Sequence, residues 1–255
     1  MSECGCDAHP RGSRLKPVEE ALDFLLERVR PVTQTERIPL RDALGRVLGE
    51  SVNSPILVPP WDNSAMDGYA VNSADLQTGG TRLAVSQRIP AGSWGKPLKP
   101  GTAARIFTGA PLPSGADTVV IQEICERDGE AIIVPESVVP GANVRRAGED
   151  IKTGQQILGA GVRLGPQHLG LAASVGLSEL TVYRRLKVAV FSSGDELVTP
   201  GDPLGPGQIY NSNQYTLSGL LQALGCEVIQ LGIVEDTFAA TCDALSRAAE
   251  QADLV

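Results

Sequence analysis

Apolar and polar positions along the chain follow three different periods. Val18, Ala21, Leu22, Leu25 and Val29 recur at helical spacing behind Pro17, with Glu19 and Glu20 at the start and Pro31 beyond the end. This predicts a helix, since proline is tolerated in a first turn and acids there complement the dipole. A second short helix is expected over residues 42–48 with Asp42 as its cap, and both are expected to share one helical layer. From about residue 53 the helical period disappears. Short β-prone runs alternate with glycine and proline, as in GTRLAVSQRIPAG and KPLKPGTAARIFTGAPLPSGADTVVIQEI, which predicts a small all-β module. Asp128-Gly129, between VVIQEICER and AIIV, reads as its hairpin turn.

The last third changes period again. LKVAVF at 186–191 is a continuous apolar run, the mark of a strand covered on both faces. QYTLSGLLQAL then sets Leu217, Leu220, Leu221 and Leu224 on one helical face, with Gly225 as the stop. CEVIQLGIV reads as a second buried strand. Asp236 is expected to cap a further helix carrying Phe238, Cys242 and Leu245, and ADLV opens a third apolar run. The progression β-α-β-α-β implies a parallel sheet with helices on its faces. Because the chain ends inside the third run, a fragment or truncation is expected.

The expected fold class is therefore α/β multidomain: a helical domain interrupted by a small all-β domain, then an incomplete parallel α/β domain. The boundaries expected are a disordered tail at 1–15, a helical and linker domain at 16–52 plus 146–183, the β domain at 53–145 and the α/β domain at 184–255.

Composition narrows the class of function. The 255 residues carry a net charge of −8, which argues against broad nucleic-acid binding but leaves room for a small anion held by local arginines. No apolar run approaches a membrane span, and the N-terminus lacks the apolar stretch of a signal peptide, so cytoplasm is the expected compartment. Cys125, Cys226 and Cys242 lie in apparent strands or helices and read as reduced, buried thiols. Cys4, Cys6 and His9 could form a small metal site, against the simpler reading of a polar tail.

Candidate chemistry gathers where ligands bind in open α/β sheets, beyond the carboxyl ends of the strands. Ser192-Ser193-Gly194-Asp195-Glu196 follows the first strand, and Glu235-Asp236 the second. If those strands are neighbours, Glu196 and Asp236 share one crevice, and paired carboxylates suit a hard cation such as Mg²⁺. The competing reading makes Asp236 a plain cap and Glu196 a solvated loop residue. Asn211, Ser212 and Asn213 fit a helix N-terminus, either as capping or as an anion site. Arg145-Arg146-Ala147-Gly148-Glu149-Asp150 offers guanidinium forks for phosphate, or is a solvated charge run. PPWDNSAMDGYA at 59–70 fits neither helix nor strand and is dense in donors and acceptors beside Trp61, Met66 and Tyr69.

Taken in order, PPWDNSAMDGYA, IFTGAPLPSGADTVV, NVRRAGEDI, VFSSGDELV with GQIYNSN, and LGIVED resemble the molybdopterin molybdenumtransferases, to which the E-domain of gephyrin is related. The likeness covers nearly everything from about residue 16 to 255. It implies insertion of molybdate into adenylylated molybdopterin with release of AMP, a Mg²⁺ or other divalent-cation requirement, a homodimer and contact with a molybdopterin adenylyltransferase. By motif it implies Asp67, Thr108, Asp150, Glu196 and Asp236 as catalytic residues. It also implies Arg145 as an anion-binding residue, with Glu196 and Asp236 at the metal, and Ser193, Gly194, Asn211 and Asn213 are expected to bind substrate beside them. Asp62, with Asn63 and Ser64, is expected to brace the loop. Rival expectations are another pyrophosphate-cleaving nucleotide enzyme and a non-catalytic scaffold.

Overall fold

The computed structural model describes residues 16–77, 80–135 and 138–255. The tail with Cys4, Cys6 and His9 lies outside them. Contacts divide the chain into two units. One is Thr35–Val182; the other is Tyr183–Val255 together with the residues up to Gln34.

The first unit is built on a six-stranded mixed sheet. Its strand order is Thr118–Ile121, Gly68–Val71, Thr102–Ile106, Thr81–Ile89, Ala131–Val134, Glu126–Asp128. Only the Thr81–Ile89 and Thr102–Ile106 pair is parallel. Successive residues of these short strands are apolar on both sides. Tyr69, Val71, Ala103 and Val120 therefore enter one core cluster, while Ala70, Ala104 and Val119 enter another. Each fully buried Val or Ile contributes about 1.5–3 kcal/mol. Asp128 and Gly129 do begin the expected turn, with Gly129 at φ +62°. The run before it is not one strand, because a 3₁₀ turn at Gln122–Ile124 divides it.

Half-buried Cys125 follows that turn. Burial pushes its thiol up to about 11, with Glu123 adding to the rise and Arg105 opposing it. It should therefore stay a thiol at pH 8. Mapping of alkylated peptides is expected to show exposed Cys242 modified at least about tenfold faster. Equal rates would contradict this placement of Cys125.

A third cluster joins Ala43 and Leu48 to Leu158, Leu164, Ala172, Leu180 and Val182. The expected helical layer is not what holds it. Two-stranded ladders, Thr35–Pro39 with Glu179–Tyr183 and Val52–Asn53 with Gln156–Leu158, surround one nine-residue helix, Pro166–Ser174. The helix expected over 42–48 is a single 3₁₀ turn, Leu40–Asp42. Gly45, at φ +75°, breaks the helical path, and Val47 and Leu48 then bridge to Arg163 and Val182 as extended chain. The Val18–Leu26 helix forms as expected behind Pro17, but none of its residues is buried.

In the second unit Lys187–Ser193 pairs in parallel with Glu227–Val234, from Lys187↔Glu227 to Ser193↔Val234. Helices Ser212–Ala223 and Phe238–Gln251 follow the two strands, and Leu254 bridges Val188 in parallel. Arg184 clamps that third run, donating from Nη1 and Nη2 to the two Asp253 oxygens at 2.6 and 2.7 Å, while Lys187 N adds a third bond at 2.9 Å. The guanidinium, first among these, holds the Asp253 carboxyl far below its usual range.

Four expectations for this unit are corrected. Leu217, Leu220 and Leu224 remain exposed, and the first helix buries Ser218. Leu217 and Leu220, with Leu221, instead border an open apolar cavity of about 420 Å³ with Val188, Val190 and Leu254. The second helix buries Ala244 and Ala248, while Phe238, Cys242 and Leu245 are exposed. Its cap is Thr237, whose Oγ1 accepts from Ala240 N at 3.2 Å, and Asp236 sits one residue outside. In the second strand only Val234 is buried.

Candidate active site

In the first unit, loops 58–67, 107–112 and 142–150 are fastened to one another. Asp62 carries much of this bracing. Its Oδ1 accepts from Ala147 N at 2.8 Å and its Oδ2 from Arg146 Nη1 at 2.7 Å, and these bonds hold its carboxyl below the ordinary range, the backbone bond foremost. Asp150 N and Gly148 N donate to the carbonyls of Val58 and Pro59. Gly148 must be glycine: it sits at φ +71°, and a Cβ there would lie 2.8 Å from Leu57 Cδ2. Ser64 closes the other side, accepting from Gly109 N at 2.8 Å and donating to Ala110 O at 3.0 Å through its own backbone. Asn63 braces by backbone alone, opposite Arg145 and Pro111. Its buried Oδ1 meets no donor among the described residues.

On this frame the structure brings Asp67 and Thr108 together across 41 residues of sequence. Thr108 N and Thr108 Oγ1 both donate to Asp67 Oδ1, at 2.9 and 3.0 Å. These two bonds, with a smaller contribution from Arg105, hold the partly exposed carboxyl below its ordinary range. Asp67 is therefore ionised at neutral pH, and Oδ2 has no protein donor among the described residues. A carboxylate so stabilised is a poor general base and a good fixed acceptor for water or a ligand donor. Of the two adjacent arginines, Arg146 is committed to Asp62, whereas Arg145 is exposed and makes no ion pair among the described residues. Asp150 is exposed, anchored through its backbone N–H.

In the second unit the other candidates meet at the carboxyl ends of the two parallel strands. Ser193 pairs with Val234 at that edge, so the loops bearing Glu196 and Asp236 leave side by side. Asp195 joins them, its Oδ1 accepting from Asp236 N at 3.3 Å. Gly194, at φ +155°, leaves space that the Glu196 carboxylate fills: a Cβ there would lie 2.6 Å from Glu196 Oε2. Ile209 N donates to Glu196 O at 2.8 Å, tying in the segment that leads to Asn211. Buried Asn211 is a helix cap, its Oδ1 accepting from Ser192 Oγ at 3.1 Å and Gln214 N at 3.4 Å. Ser193, Asn213, Glu196 and Asp236 are exposed. Among the described residues no group of three or more His, Cys, Asp or Glu side chains is arranged to hold a metal.

Sequence reasoning missed Asp195, the link between the two acidic loops, and Arg105, whose guanidinium bonds the carbonyl of Gly68, next to Asp67, and lies over Phe107, next to Thr108. The only local signal for Arg105 was a lone charge inside the strand Thr102–Ile106, where its neighbours are apolar or small.

Comparison with known proteins agrees with both halves. Residues 16–176 match the family model described as MoeA N-terminal region (domain I and II), and residues 189–255 the model described as probable molybdopterin binding domain. The chain is 43% identical over 239 residues to a molybdopterin molybdenumtransferase of Haemophilus influenzae, covering 93% of this chain and 59% of that protein. It is 44% identical over 226 residues to one of Nostoc sp., covering 87% and 52%. The chain thus spans between half and three-fifths of the length of these curated relatives. A solved molybdopterin biosynthesis MoeA protein from Pyrococcus horikoshii superposes with a TM-score of 0.86 at 33% identity, over 94% of this chain and 66% of that one. Among the described residues no helix is long and apolar enough to cross a membrane.

Proposed function

The chain belongs to the MoeA family of molybdopterin molybdenumtransferases, and on that premise we propose that the protein inserts molybdate into adenylylated molybdopterin and releases AMP. The observation that carries this reading is the Asp67–Thr108 pair: an ionised carboxylate fixed through one oxygen, with the other free to accept. Cleaving a pyrophosphate needs its charge neutralised and a water oriented for attack. In this reading Asp67, Thr108 and Asp150 orient water and ligand. Arg145, which makes no ion pair among the described residues, takes an anionic group of the pterin phosphate or the molybdate. Ser193, Gly194, Asn211 and Asn213 shape the substrate-facing edge of the α/β unit, with Asn211 acting through the helix start that it caps.

Glu196 and Asp236 fit a Mg²⁺ ion in donor chemistry, being exposed carboxylates at adjacent strand ends. Mg²⁺ takes one or two carboxylates and completes its shell with water and phosphate oxygens, so a larger acidic cage is not needed. When bound, the cation would neutralise the pyrophosphate being cleaved. The protein is read as a cytoplasmic homodimer that receives its substrate from a molybdopterin adenylyltransferase.

The test is to incubate the full family-length protein with adenylylated molybdopterin, molybdate and Mg²⁺. Release of AMP matched by molybdenum incorporation is expected. AMP without incorporation would favour the pyrophosphate-cleaving rival, and no AMP would reject the assignment.

A further inference from the structure

We propose that Arg105 is a positioning residue that grips both chain segments of the Asp67–Thr108 pair and sets the carboxylate against the hydroxyl; this rests on reading that pair as the reacting site. Arg105 Nη1 donates to Gly68 O at 2.7 Å and to Ile106 O at 3.1 Å. Its Nη2 donates to Gln122 Oε1, and Gln122 N donates back to Asp67 O at 3.2 Å. The carbonyls of Asp67 and Gly68 are thus both held, one directly and one through Gln122. On the other side the guanidinium lies 4.4 Å from the centre of the Phe107 ring, and Phe107 immediately precedes Thr108. Tyr69, opposite Arg105 in register, offers it a second ring at 5.3 Å.

One side chain therefore touches the residue after Asp67 and the two residues before Thr108. A planar fork with five donors can do this, whereas an ammonium offers a point charge without the fork. Phe107 is also covered by Arg88 at 4.5 Å, but the Arg88 side chain makes no hydrogen bond among the described residues. Like charges facing each other across neighbouring strands are unfavourable, so the Arg88↔Arg105 register is explained by what Arg105 holds. The charged groups around Asp67 are Arg105 and, beyond Gln122, Glu123, which accepts from Gln122 Nε2 at 3.1 Å.

The experiment is NMR of this chain, following the Asp67 carboxyl carbon through a pH titration and the exchange rate of the Thr108 amide. Arg105→Gln is expected to raise the Asp67 midpoint toward the ordinary range and to speed Thr108 exchange about tenfold or more. Arg105→Lys, which keeps the charge, should recover part of the midpoint but not the amide protection. Arg88→Gln should change neither. Should Arg105→Gln fail to fold, Gln122→Ala loosens the same grip and should move both readouts less, in the same direction. In the full family-length protein, Arg105→Lys should lower kcat about 100-fold with KM little changed. An unmoved Asp67 midpoint and Thr108 amide in a folded Arg105→Gln or Gln122→Ala variant would overturn the proposal and leave the functional reading intact. Moved NMR readouts with no AMP release from the wild-type protein would reject the functional reading alone.

Discussion

Asp67→Asn in the full family-length protein is expected to lower molybdenum insertion by about 100- to 1,000-fold while leaving the fold intact. Asparagine keeps an Oδ1 that can still accept from Thr108 N and Thr108 Oγ1, so the 107–112 loop stays fastened. What disappears is the negative charge, and the free acceptor Oδ2 becomes a donor. Thermal unfolding of the variant should match the wild type within a few °C, since asparagine keeps the side chain's shape and its acceptor oxygen outside the buried core. Retained activity would demote this residue to architecture. Asp62→Asn is the informative contrast: that carboxylate is spent on Arg146 and Ala147, so its loss should register first in loop stability.

The largest effect on stability is expected at the next residue. Gly68 is buried in a central strand, and a Cβ built there would lie 2.1 Å from Val120 O and 2.9 Å from Val120 C. Both are backbone atoms of the neighbouring strand, which side-chain rotation does not relieve. Gly68→Ala must therefore push apart Gly68–Val71 and Thr118–Ile121, which pair along four residues. Overpacking of this kind, with loss of ladder bonds, should cost about 3–5 kcal/mol. A urea titration should show the transition of the β unit shifted by that amount, or the variant should be insoluble. Near wild-type stability would mean that the strand spacing in this sheet is wrong. The same substitution also moves the carbonyl that Arg105 holds, so any folded fraction should be poorly active.

How much was legible in the sequence depends on where each partner lies. The α/β unit could be read because its strands are apolar runs and its helices follow local stop and start signals, Gly225 and the segment before residue 238 among them. Even there the buried residues were not legible: Ala244 and Ala248 are buried, and the larger Phe238 and Leu245 are exposed. The helical layer was misread for a related reason. Apolar spacing at 42–48 mimics a helix, but Gly45 in the left-handed region redirects the chain into a bridge with distant Val182. Locally Thr108 reads as well as a plain turn residue as a ligand-facing hydroxyl, because what defines it is an acceptor 41 residues away. Asp67 was legible only through its motif. Arg105 was invisible because a charged residue in a strand reads as solvent-facing until the strands beside it are known.

The central claim is that Asp67 and Thr108 act as one unit in molybdenum insertion. The most direct measurement is a double-mutant cycle in the full family-length protein, scoring AMP release and molybdenum incorporation for Asp67→Asn, Thr108→Val and the pair. If the two hold one water or ligand together, the double variant should lose no more than about what the worse single variant loses. Losses that multiply across the cycle, or full activity in either single variant, would contradict the account.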